Sequence, residues 1–153
     1  MFKWEIKQRS DEKLVVLTGG LDESCDLQPL SGLTGTVTFD LAGIRTINSE
    51  GARRWIVMLR QISNRAKLSF VRCSVPVMIQ INMITAFKAN AEIRSFYAPY
   101  LCSATGQEEE RLLITENITD PLNPPTFPCE GGELELDDLP DRYFAFLLDE
   151  RTS

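Results

Sequence analysis

Apolar and polar residues alternate through Phe2-Lys3-Trp4-Glu5-Ile6-Lys7-Gln8, which predicts a strand with one apolar face. Arg9-Ser10-Asp11-Glu12 reads as a turn, and Lys13 to Gly20 as a second strand that closes a hairpin with the first. Leu21 to Leu30 carries Cys25 and Leu27 and predicts one helix, after which Gly32 and Gly35 return the chain to the sheet. Val37, Phe39 and Leu41 then alternate with Thr38 and Asp40 as a strand, followed by a short irregular turn. Beyond it, Ala52, Trp55, Ile56, Leu59 and Ile62 recur at helical spacing, with Arg53, Arg54, Arg60 and Gln61 on the other side. The period changes from two to about 3.6 at Asn48-Ser49, where either side chain can cap the helix.

Lys67 to Cys73 predicts a further strand, and strand, helix and strand in this order imply a parallel pair with a right-handed crossover. Ser74 can cap a helix from Val75 to about Thr85, with Pro76 in its first turn. That helix is apolar almost all round, so its faces need cover; the later part of the chain is the expected cover, and an oligomer or partner face the alternative. Lys88-Ala89-Asn90 is a break. Glu92 to Cys102 and Glu108 to Glu116 read as strands around a Ser103-Ala104-Thr105-Gly106 turn. A proline-rich loop, Asp120 to Pro128, leads to a second turn at Cys129-Glu130-Gly131-Gly132 and a strand at Leu134-Glu135-Leu136. A short helix starts at Pro140, and its Tyr143, Phe144, Phe146 and Leu147 must be buried. The expected organisation is an α/β domain with a mixed sheet over residues 1–90, and a small β-rich extension over 91–153 packed on it.

The central stretch Phe39-Asp40-Leu41-Ala42-Gly43-Ile44-Arg45-Thr46-Ile47-Asn48-Ser49-Glu50-Gly51 resembles the STAS domain, the module of bacterial anti-sigma factor antagonists and of the cytoplasmic ends of sulfate transporters. In that family a similar strand and approach lead into Asp-Ser-x-Gly and a helix; here Asn48 stands in the place of Asp. The resemblance implies that Ser49 matches the residue phosphorylated in members that switch partners. It also implies that Asn48, Ser49 and Glu50, with Arg53, Arg54 and Arg60 on the following helix, meet a protein partner such as an anti-sigma factor or kinase-like domain. The two later strand pairs, each with a cysteine at its turn, resemble a zinc ribbon. Cys102-Ser103-Ala104-Thr105-Gly106 has Thr105, and Cys129-Glu130-Gly131-Gly132 has Gly132, where a ribbon has its second cysteine. Thr and Gly cannot replace a thiolate at tetrahedral zinc, so no metal is expected. The expected extension is a degenerate ribbon held by packing; a Cys102–Cys129 disulfide is left open, though a reducing compartment disfavours it.

Charge refines the picture. The net charge of −6 divides unevenly: residues 1–101 hold 13 Lys and Arg against 9 Asp and Glu, whereas residues 102–153 hold 3 against 13. An acidic second part repels phosphates and argues against nucleic acid as its partner; a solvated surface or a docking surface for a basic partner fits it. There is no histidine, which removes the commonest general base and the Ser-His and Cys-His pairs. Gly19-Gly20 makes no phosphate loop, and Asp137, Asp138 and Asp141 lack calcium-loop spacing. Cys25 and Cys73 stand in apolar surroundings and are expected to be buried and inert. No stretch is of membrane-spanning length and the start lacks the apolar core of a signal peptide, so the expected location is the cytoplasm. The reading is a non-enzymatic interaction module in bacterial signalling, without cofactor, metal or membrane insertion. A self-assembling scaffold with possible homo-oligomers, or an accessory subunit of a membrane transport complex, are the alternatives.

Overall fold

The computed structural model describes the backbone of residues 1–152 and the side chains of residues 1–148. It is a mixed α/β fold with two sheets. The first sheet has the order β1-β2-β3-β4-β5, from β1 (Lys3–Arg9), β2 (Glu12–Leu21), β3 (Gly35–Ile47), β4 (Ala66–Val71) and β5 (Glu92–Ile93). β1 and β2 form the expected antiparallel hairpin, and β2, β3, β4 and β5 are mutually parallel. β3 connects to β4 through α1 (Ser49–Ile62) and β4 to β5 through α2 (Val75–Met83), whereas β2 reaches β3 through the loop of residues 22–34. No helix among the described residues is long and apolar enough to cross a membrane.

Alternation along β2, β3 and β4 sends Val15, Leu17, Val37, Phe39, Leu41, Leu68 and Phe70 into the core. Trp55 of α1 lands among them, with ring centroids 5.2 Å from Phe39, 5.8 Å from Phe70 and 5.7 Å from Phe87. Its indole N–H donates to the Phe87 carbonyl at 2.9 Å, so the one polar atom of this buried ring has a partner.

Two expectations fail in this half. The helix expected over Leu21 to Leu30 is a loop with only a short 3₁₀ turn at Gln28–Leu30. Asp22 Oδ1 accepts from the Ser24 N–H at 2.8 Å and from its hydroxyl at 2.6 Å, and Asp26 Oδ1 accepts from the Gln28 N–H at 3.1 Å. Side chains that capture nearby backbone donors in this way favour turns over helix. The irregular turn expected before Asn48 is instead strand: β3 continues to Ile47 beside β2, absorbing register shifts after Val16 and after Gly19. Gly43 permits this, since a Cβ there would lie 2.9 Å from the Leu17 carbonyl oxygen.

The second sheet has the order β7-β6-β9-β8, from β6 (Ser95–Cys102), β7 (Glu108–Ile114), β8 (Phe127–Cys129) and β9 (Gly132–Leu136), all antiparallel. It joins the first sheet through one run of chain. β5 pairs with β4, and the Cys73 carbonyl accepts from the Tyr97 N–H at 2.8 Å as the same segment passes into β6. Hydrogen bonding of the first sheet therefore extends past residue 90. α2 lies between the sheets, packing on β3 and β6, while α3 (Pro140–Tyr143) and α4 (Ala145–Thr152) close over it. As expected, Tyr143, Phe144, Phe146 and Leu147 are buried, and three of these rings surround Phe96. The Asn82 amide ties this cover to α2, donating to the Tyr143 carbonyl at 2.8 Å and accepting from the Phe146 N–H at 3.1 Å.

The disfavoured alternative holds in the extension, which is not left to packing: Cys102 and Cys129 form a disulfide with Cα atoms 6.1 Å apart. The register explains the pairing. Ser103 interlocks the two turns, its N–H donating to the Glu133 carbonyl at 2.9 Å while its hydroxyl accepts from the Glu133 N–H at 3.0 Å. With Cys102 opposite Leu134 on one side of β9 and Cys129 opposite Gly132 on the other, the two thiols converge. Gly132 lets the turns touch, because a Cβ there would sit 2.5 Å from the Ser103 hydroxyl.

Candidate functional site

The start of α1 is held by three short-range constraints. The Asn48 N–H donates to the Leu21 carbonyl at 3.0 Å, fixing the approach of β3 against the end of β2. Asn48 Oδ1 then accepts from the Gly51 N–H at 2.9 Å, so Asn48 is the cap and Ser49 is the first helical residue. Its amide nitrogen also donates to Glu23 at 2.8 Å. Gly51 is required by contact: a Cβ there would lie 1.8 Å from the Leu21 carbonyl oxygen. The Asn-Ser-x-Gly pattern is thus a packing device in which the residues on either side of Ser49 and Glu50 seat the helix on the sheet.

Freed from capping, Ser49 is exposed and its hydroxyl makes no hydrogen bond among the described residues. Glu50 is held by Arg53, whose Nε reaches both carboxylate oxygens at 3.1 Å, and by Arg54 at 3.3 Å. The Arg53 bonds first, and Arg54 after them, hold the Glu50 carboxyl below the usual carboxylate range. Arg54 also turns inward, donating from Nη1 to the Cys25 carbonyl at 2.8 Å, and so pins the 22–27 loop to the helix. Of the six residues expected to meet a partner, Arg54 is therefore mainly a brace. Arg60 is exposed two turns further along α1.

Asn48, Ser49, Arg53 and Arg60 come together along one groove of about 490 Å³ between α1 and the end of α2. Its floor is apolar, from Ile47, Ala52, Ile56, Val57, Met83 and Ile84. Val57 is 42% exposed and Met83 69% exposed, so the floor is open to solvent. Glu50 and Arg54 lie beside this groove, not in its lining; Arg54 lines a separate shallow pocket of about 250 Å³ with Cys25 and Gln28. The wall supplied by Gln80, Met83 and Ile84 escaped sequence reasoning, because a uniformly apolar helix does not declare which end stays uncovered.

Other chemistry-bearing residues sit apart from the groove. Cys25 and Cys73 are buried, and burial raises both thiols above their ordinary range. No cluster of three or more cysteine, aspartate or glutamate side chains among the described residues is arranged to hold a metal ion. Comparison of the chain with protein-family models and with curated proteins returns no match.

Proposed function

We propose that this protein works as a STAS-like interaction module, docking a protein partner in the groove between α1 and α2 without transforming a small molecule. The observation that carries the reading is the convergence of Ser49, Arg53 and Arg60 on the rim of an exposed apolar floor. An apolar floor supplies affinity by burial, and a charged rim fixes orientation. Phosphorylation of Ser49 would regulate it: the phosphate would stand on the first turn of a 14-residue helix, four residues before Arg53. There it would compete with Glu50 for the guanidinium and put negative charge on the rim.

The test is affinity purification of the full chain followed by quantitative mass spectrometry. Partners of the groove are lost from Arg60→Glu and Ser49→Asp and retained by Glu130→Lys, a change in the distant Cys129 turn. A partner set that ignores all three changes removes the groove from the reading. Phosphopeptide mapping of the protein from its native cell is expected to find Ser49 modified. A scaffold role is the second reading, favoured by the exposure of Ile79 at 45% beside Met83 on α2.

A further inference from the structure

Among the described residues β1 has a strand neighbour on one side only, and all seven of its residues are exposed. Its pairing with β2 fixes where its side chains lie. Trp4 stands opposite Leu17 and Ile6 opposite Val15, and directly opposed residues of an antiparallel pair share a face. Leu17 and Val15 are fully buried, so Trp4 and Ile6 are on the helix-covered face; yet they are 40% and 39% exposed. Phe2 is partly buried against the same core. Lys3, Glu5 and Lys7 alternate on the opposite face. The apolar row thus runs out beyond its cover, next to the backbone groups of an open edge.

The other edges differ. β7 begins with Glu108, Glu109 and Glu110, which repel the same strand of another copy. β8 is three residues long and includes Pro128, and β5 is two residues long.

We propose that β1 pairs antiparallel with β1 of a second copy about a two-fold axis at Trp4, making the two five-stranded sheets one continuous sheet. Self-complementarity selects the register. Centred on Glu5, the strands would set Glu5 against itself and Lys3 against Lys7 twice; centred on Ile6, they would offset two Glu5–Lys7 pairs with two Lys3–Arg9 repulsions and leave Trp4 opposite Gln8. Centred on Trp4, they set Lys3 against Glu5 twice, Phe2 against Ile6 twice, and Trp4 against itself. Opposite charges and aromatic pairs directly across a ladder stabilise it, and like charges destabilise it. Registers shifted by one residue set the apolar face of one copy against the charged face of the other. The interface is isologous and closes at two copies. It uses no residue of the groove between α1 and α2, so it stands or falls independently of the docking reading.

Sedimentation equilibrium of the full chain tests the assembly, and three substitutions test the register. The intact protein is expected to dimerise with rising concentration. Lys3→Glu and Glu5→Lys each weaken the dimer about tenfold, and the two together restore it. Under mild oxidation, Trp4→Cys yields a covalent dimer and Ile6→Cys does not, measured against the unsubstituted protein. A monomer at every concentration overturns the proposal, as does a dimer indifferent to the charge reversals or one that cross-links through position 6 and not position 4. These side chains are exposed, and circular dichroism verifies that each variant folds.

Discussion

The two sheets are stabilised by different means. Parallel strands cannot be joined by tight turns, so the first sheet requires long crossovers, and the helices in two of them bury its inner face. The product is the cluster of Phe39, Trp55, Phe70 and Phe87, where ring burial, with one hydrogen bond from the Trp55 indole, holds the layers together without a covalent link. The second sheet is antiparallel, with short turns and one wet face; along β7 only Leu113 is buried. It buries less, carries most of the acidic excess, and adds a covalent link between its two turns. A small sheet that cannot enclose its own core is completed by a cross-link on one side and by the aromatic side chains of α3 and α4 on the other.

This contrast can be broken first at Trp55. Trp55→Ala removes a fully buried ring and its hydrogen bond, and is expected to cost about 3–5 kcal/mol in urea denaturation. Next comes the cross-link: replacing both Cys102 and Cys129 by alanine frees a segment of 27 residues in the unfolded chain and is expected to cost about 3 kcal/mol. Hydrogen exchange should then quicken in β6, β8 and β9 while α1 keeps its protection; uniform loss across both sheets would contradict the division. A smaller effect separates neighbours at the groove. Asn48→Ala loses the cap, for about 1 kcal/mol, whereas Ser49→Ala stays within about 0.5 kcal/mol. The least effect at neutral pH is the most regional. All three tyrosines belong to the second region, where burial pushes the phenol of Tyr100 up to about 12 and also raises that of Tyr143. An unfolded tyrosine ionises near pH 10, at about its ordinary pKa. Above that pH the unfolded chain releases protons that the folded one retains, so stability is full below about pH 10 and falls as the pH rises. Phenolate formation at Tyr100 and Tyr143 is expected to appear together with exchange in the second sheet.

Much of the first region could be read from periodicity. The hairpin, the strand through Phe39 and the helix with Trp55 on its buried side follow from side-chain spacing. The segment Leu21 to Leu30 could not be read that way, because its apolar spacing is overruled by Asp22 and Asp26 taking backbone donors. The residues of the groove rim were legible from the Asn-Ser-x-Gly stretch, but their separate duties were not. Asn48 and Ser49 are both good caps, and only the position of the Gly51 N–H decides between them. The disulfide was concealed for another reason: whether two distant thiols meet depends on strand register, and Ser103 sets that register through the Glu133 backbone.

α2 packs on β3 and on β6, and Asn82 fastens the closing helices to it. A mutation on this helix is judged twice, so neither half of the molecule can drift at its own pace. Chimaeras that exchange one half for a foreign counterpart are expected to fail until the helix is retuned for its new companion, which makes the chain an evolutionary unit despite its two styles of construction.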